Sequence, residues 1–170
     1  FLRFCAATAA TLGLPAGAEA AIAKAIEQAK RPSVIWLHFQ ECTGCTESLL
    51  RTTKPALDEL ILDLISLDYH EALMVPSGHL AEDARQKAMK ENAGKFILVT
   101  EGATPLKDGG IYCKIGGRTA LEILEEAADM AGAIIAIGSC ASFGGIPAAD
   151  PNPTGATGTP MVLKGKTVVT

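Results

Sequence analysis

Val34-Ile35-Trp36-Leu37-His38-Phe39 is a short apolar run that leads, after two residues, into Cys42-Thr43-Gly44-Cys45. Its length, its β-branched and aromatic content and its lack of polar alternation read as a strand buried on both faces. Similar runs recur downstream. Strands are expected over Leu62 to Leu67, Phe96 to Thr100 and Ala133 to Ile137, and Lys166 to Val169 reads as the start of a fifth. Helical spacing lies between them. Ser48 to Asp63 carries Leu49, Leu50, Leu57 and Leu60, interrupted by Pro55. Leu80 to Lys90 sets Leu80, Ala84, Ala88 and Met89 on one side and charges on the other, and Thr119 to Met130 gives a third helix.

Continuous apolar strands separated by helices imply an α/β fold, a three-layer, flavodoxin-like parallel sheet covered on both faces. Glycine and proline concentrate where the strands should end: Thr43-Gly44, Gly102 to Pro105, Gly138, and Gly144 to Gly158. In such sheets function sits beyond the carboxyl ends of the strands, so chemistry is expected on these loops.

The chain of 170 residues, 48% hydrophobic and 20% charged, suffices for one domain with a real core. Its net charge of −4 and the absence of a basic patch argue against nucleic acid as a partner. Five cysteines, an odd number, are too few for a disulfide scaffold of this length. Phe1 to Ala20 stands apart in composition. One arginine, an Ala/Leu/Thr run, Pro15 and the small-residue pattern Ala18-Glu19-Ala20 have the shape of a secretory h-region and cleavage site. The stretch is too short to span a bilayer, and the alternative is an alanine-rich amphipathic helix that stays on the protein. The expected organisation is thus residues 1–20 as a truncated export signal, 21–31 as a linker and 32–170 as the α/β domain.

A C-x-x-C pair can serve zinc, an iron–sulfur cluster or a redox disulfide. Cys140, in Ile137-Gly138-Ser139-Cys140, likewise follows a strand. If both strands lie near the centre of one sheet, Cys42, Cys45 and Cys140 converge at one edge; a buried inert thiol is the alternative for Cys140. Cys113 reads as a packed thiol, and Cys5 belongs to the leader. His38, His70 and His79 show no ligand spacing to one another, and His70 reads as structural. Asp108-Gly109-Gly110 and Gly116-Gly117-Arg118 match neither a dinucleotide fingerprint nor a P-loop, so FMN is not expected.

HFQECTGCTESLLR (His38 to Arg51), LISLDYHEALM (Leu64 to Met74), VTEGATPLKDGG (Val99 to Gly110) and AIGSCASFGGIPAADPNPTGA (Ala136 to Ala156) together resemble the small subunit of nickel–iron hydrogenases. The resemblance runs in order from about Arg31 to about Gly158. It implies that Cys42, Cys45 and Cys140 bind a proximal 4Fe-4S cluster, with the nickel–iron centre in a partner large subunit. Electrons from hydrogen oxidation, or for hydrogen evolution, would pass through that cluster to a carrier such as a cytochrome or ferredoxin. The resemblance places Glu41 and Thr43 beside the large-subunit active site, in a proton path or around the cluster, and Glu101 close to the cluster. On local grounds alone Glu41 is a helix N-terminal acid and Thr43 an N-cap. Gly44 and Gly145 stand where oxygen-tolerant relatives carry extra cysteines, which implies a standard cubane and an oxygen-sensitive enzyme.

Phe1-Leu2-Arg3 resembles the tail of a twin-arginine export motif, which implies a periplasmic complex, with membrane attachment left open. The family's fourth proximal ligand, in a Gly-Cys-Pro turn, is expected beyond Thr170, as are its medial and distal clusters; the isolated chain is expected to be inactive. A zinc- or disulfide-stabilised α/β binding module is the competing reading. A related respiratory-complex subunit would carry adjacent cysteines in place of C-x-x-C.

Overall fold

A computed structural model of the chain describes residues 2–11, 13–15, 17–21 and 31–170. It divides into two units, Phe1–Arg31 and Pro32–Thr170. The first contains a helix over Leu2–Thr11. Most of the expected linker at 21–31 lies outside the described residues, as does the side chain of Cys5. Among the described residues, no helix is long and apolar enough to cross a membrane.

In the second unit four strands form the central sheet: β1 Ser33–His38, β2 Ser66–His70, β3 Ile97–Glu101 and β4 Ala133–Ile137. All neighbours are parallel, in the order β2-β1-β3-β4. Every residue of β1 is buried, as the continuous apolar run demands of a central strand. Side chains that alternate along β1 feed two cores. Ile35, Leu37 and Phe39 pack with Phe96, Leu98, Met89, Ile123 and Leu124, whereas Val34 and Trp36 join Val99 under Leu49, Ile65 and Leu67. The α/β architecture expected from the sequence is the one observed.

Three expectations need correction. The run expected as the second strand serves two elements. Leu57–Glu59 is α-helical and Leu60–Leu64 continues as a π-helix, closed by the Ile65 amide on the Leu60 carbonyl at 3.0 Å, so β2 begins only at Ser66. Leu62 and Leu64 point outward. An apolar run of this length has no periodicity that separates helix from strand. The preceding helix, α1 Gly44–Leu50, opens on the C-x-x-C pair itself, four residues earlier than expected.

Lys166 to Val169 forms a single parallel bridge, Val169 to Ile135, in place of a strand. The Val169 amide bonds the Ile134 carbonyl at 3.0 Å, and its carbonyl accepts the Ala136 amide at 2.8 Å. The bridge lies on the free edge of β4, where a 2-1-3-4-5 order places its fifth strand.

The third correction concerns α2, His79–Glu91. Leu80 is 71% exposed, and the buried face is Ala81, Arg85, Ala88 and Met89. Both sets have helical spacing. The observed face buries Arg85 between Glu82 on its own helix and Glu126 on α3, Ala120–Met130. Arg85, 1% exposed, lies 2.6 Å from Glu82 and 3.7 Å from Glu126, so its charge is buried with partners. α3 is fixed at its start by a capping box in which Thr119 and Glu122 satisfy each other's backbone amides.

Candidate functional site

The register aligns the last residues of the strands in a row. Trp36 pairs with His70, which ends β2; His38, ending β1, pairs with Glu101; and Glu101, ending β3, pairs with Ile137, which ends β4. The loops that leave this edge carry the chemistry. β1 passes through Glu41, Cys42 and Thr43 into α1, and β4 passes directly into α4, Gly138–Phe143, which carries Cys140.

Cys42 is exposed, and Cys45 and Cys140 are half-buried. Burial pushes the Cys45 thiol above its ordinary range, and the nearby charges of Glu101, Cys42, Cys140 and Glu41 push it further. All three cysteines and both carboxylates singled out in the sequence therefore act on one point. Cys113 does not join them and packs against the larger core. The described cysteines are all free thiols. Thr43 occupies the N-cap position of α1 without capping it. Its backbone is left-handed at φ 62°, and its hydroxyl donates to Glu41 Oε1 at 3.3 Å.

A glycine faces each thiol. A Cβ on Gly138 would lie 2.3 Å from Cys45 Sγ, one on Gly145 2.6 Å from Cys140 Sγ, and one on Gly44 3.1 Å from Cys42 Sγ. Gly138 and Gly145 also hold positive φ, at 76° and 52°, whereas Gly44 does not. Gly138→Ala is therefore expected to lose about 1–2 kcal/mol to backbone strain alone, and to displace Cys45 as well. Gly44→Ala needs only a small shift of one thiol and should be much milder. Urea denaturation of the two variants side by side tests this ordering.

Behind the thiols lies a buried polar network that the sequence did not reveal. Glu101 Oε2 accepts from the Trp36 indole at 3.1 Å and from the Thr46 hydroxyl at 2.6 Å. Since Thr46 has one hydroxyl proton and gives it to Glu101, His70 Nε2, 3.3 Å away, must carry a hydrogen and donate to Thr46. Burial, then His38, pulls His70 down to about 4, so the ring is neutral at pH 7. Its Nδ1 accepts from His38 Nε2 at 3.3 Å, and His38 turns Nδ1 toward Glu41 at 3.5 Å and Glu101 at 3.8 Å. His38 and His70, which showed no ligand spacing in sequence, are thus brought together by strand pairing. His38, Glu41 and Glu101 offer one atom each within 4.8 Å of one another. Glu101 is already committed to its donors, which argues against a separate metal ion there. Glu41 Oε2 is buried with no hydrogen-bond partner.

A second titratable group sits at the start of the loop after β2. Glu71 and Glu82 both lie within hydrogen-bond reach of the single Tyr69 hydroxyl, at 3.2 and 3.1 Å, on the wall of a pocket of about 210 Å³. Burial pushes Glu71 up to about 7. The folded chain thus holds a proton on Glu71 that the unfolded chain releases near its ordinary value of 4.5. This group's contribution to stability is full below about pH 4.5 and is lost as pH rises through about 7. Glu71→Gln should flatten the stability–pH curve across that window, as read by urea denaturation at a series of pH values.

The family model described as NADH ubiquinone oxidoreductase, 20 kDa subunit, matches residues 42–169. The chain is 49% identical over 169 residues to the Hydrogenase-2 small chain of Escherichia coli strain K12, covering 99% of this chain and 45% of that one. It is 50% identical over 164 residues to the periplasmic [NiFe] hydrogenase small subunit 1 of Nitratidesulfovibrio vulgaris, covering 96% and 51%. The chain spans about half the length of the curated relatives it matches. Among solved structures it is similar to a reduced, active form of the nickel–iron–selenium hydrogenase from Desulfomicrobium baculatum. That match has a TM-score of 0.80 and 34% identity, over 82% of this chain and 55% of that one.

Proposed function

The chain belongs to the family of the NADH ubiquinone oxidoreductase 20 kDa subunit, and from that premise we propose that it is the cluster-bearing part of a nickel–iron hydrogenase small subunit. Cys42, Cys45 and Cys140 hold the proximal 4Fe-4S cluster. When bound, the cluster supplies one-electron storage and transfer between the nickel–iron site of a large subunit and an external acceptor.

The observation that carries this reading is the convergence of three thiols from loops about a hundred residues apart, each thiol facing a glycine. The residues fit the group. Cys45 Sγ has only a long contact, 3.7 Å, to the Ile137 carbonyl, so its sulfur is not spent on a strong internal hydrogen bond. Burial and the neighbouring charges disfavour a thiolate at Cys45, and cationic iron would relieve that penalty. A cleft of about 490 Å³ opens beside Cys45, lined by Gly44, Leu49, Ile137 and Gly138. Among the described residues no fourth thiol joins the three. Within the family, C-x-x-C spacing in place of adjacent cysteines favours the hydrogenase branch over the respiratory one.

The large subunit docks on the rim formed by residues 143–154. Phe143 and Ile146 are 76% and 86% exposed, and Ile146 borders a groove of about 620 Å³ with Gln40, Glu41, Pro147, Pro151 and Pro153. Exposed apolar surface of this kind marks a binding face. Glu41 stands between that groove and His38, so it can hand protons across the subunit boundary, with the Thr43 hydroxyl holding its carboxylate in place. Gly44 and Gly145 in place of extra ligands favour a standard cubane and an oxygen-sensitive enzyme. A periplasmic site follows by analogy with the N. vulgaris relative.

Anaerobic reconstitution with iron and sulfide tests the reading. A brown protein with visible absorption and an EPR signal on reduction is expected. A colourless protein holding stoichiometric zinc would overturn it in favour of the binding module.

A further inference from the structure

We infer that Glu101 is a positioning residue that pins the Cys45 loop by accepting hydrogen bonds on both carboxylate oxygens. The inference rests on the cluster reading for its effect on electron transfer, but not for its geometry.

Glu101 is 1% exposed and ends β3 at the centre of the sheet edge. Oε1 accepts from the Cys45 amide at 3.0 Å and the Thr46 amide at 3.3 Å. Oε2 accepts from Trp36 Nε1 at 3.1 Å and the Thr46 hydroxyl at 2.6 Å. An ionised carboxylate has about four acceptor positions, and here each meets a donor from β1 or α1. His38 Nδ1, at 3.8 Å, is beyond hydrogen-bond distance.

The same four contacts explain the placement of the carboxylate. It ties the backbone of Cys45 to β3 and leaves a fixed negative charge beside the thiol, which disfavours added electrons on any centre the thiol holds. Glutamine at this position has the right size but the wrong chemistry. Whichever way the amide is turned, its NH₂ faces two donors.

The test uses the full chain. Amide hydrogen exchange, read by NMR, should show the Cys45 and Thr46 amides protected. In Glu101→Gln they should exchange roughly tenfold to a hundredfold faster, the loss of a charge-assisted hydrogen bond. Thr46→Val removes one donor but leaves the carboxylate and both amides, so Cys45 exchange should stay within about threefold of wild type. After reconstitution, the cluster midpoint potential should move to more positive values in Glu101→Gln and stay in place in Thr46→Val. A wild-type Cys45 amide that exchanges like an exposed loop amide overturns the inference, even if Glu101→Gln fails to fold. So does a Glu101→Gln chain with unchanged exchange and unchanged potential. If wild type takes up no iron, the hydrogenase reading falls, while the exchange measurement still decides the role of Glu101.

Discussion

Cys42→Ala, Cys45→Ala and Cys140→Ala each strip the reconstituted chain of its iron and sulfide, whereas Cys113→Ala leaves both at the wild-type level. This is the largest effect expected from any single change. Even residues that only support a metal ligand alter affinity by about 10–100-fold when replaced, and loss of a thiolate itself should exceed that. The contrast with Cys113 gives the experiment its force. Cys113 is also free and half-buried, but its thiol is pushed up by burial and then by Glu71, not by the other thiols. Iron and sulfide analysis, with EPR on the reduced samples, reads the outcome. If Cys113→Ala is the damaging change, the ligand assignment is wrong. If Cys140→Ala is harmless, Cys140 is an inert packed thiol.

Arg85→Ala is expected to cost about 3–5 kcal/mol, because it removes one member of a buried ion pair and leaves its partner uncompensated. Glu82 lies 2.6 Å from the guanidinium and also accepts from Tyr69, so the loss spreads from α2 to β2. Leu80→Ser, five residues earlier on the same helix, should change stability by no more than about 0.5 kcal/mol, since Leu80 lies in solvent. Hydrophobicity alone orders these two changes the other way. Urea denaturation of both variants therefore tests the placement of α2 directly, and a large loss from Leu80→Ser would refute it.

These two residues show where the sequence runs out. The β1 and β4 segments were legible because a central parallel strand needs an unbroken apolar run, and Val34 to Phe39 and Ala133 to Ile137 are such runs. The segment around Leu60 was not, because the same apolar residues fit a helical turn or a strand. The face of α2 buries Arg85 with Glu82 and Glu126, and a charged residue carries no local sign that it will be buried with partners. The three cysteines stood out through motif and spacing. Trp36, Thr46, His38 and His70 did not, since each is an ordinary core residue until β1, β2 and β3 are placed side by side. One hint was present: Glu101 follows directly on an apolar run, and a polar residue at the carboxyl end of a central strand faces the edge where loops carry function.

The row of strand-terminal residues ties the making of the sheet to the making of the site. His38 meets Glu101 only in one register of β1 against β3. A slip of β3 by one residue would set Thr100 or Gly102 in that place and turn the carboxylate to the opposite face of the sheet. The Cys45 amide would then lose the carboxylate that accepts it. On the proposed reading, uptake of a cluster by these cysteines would therefore also report that the central strands were joined in register.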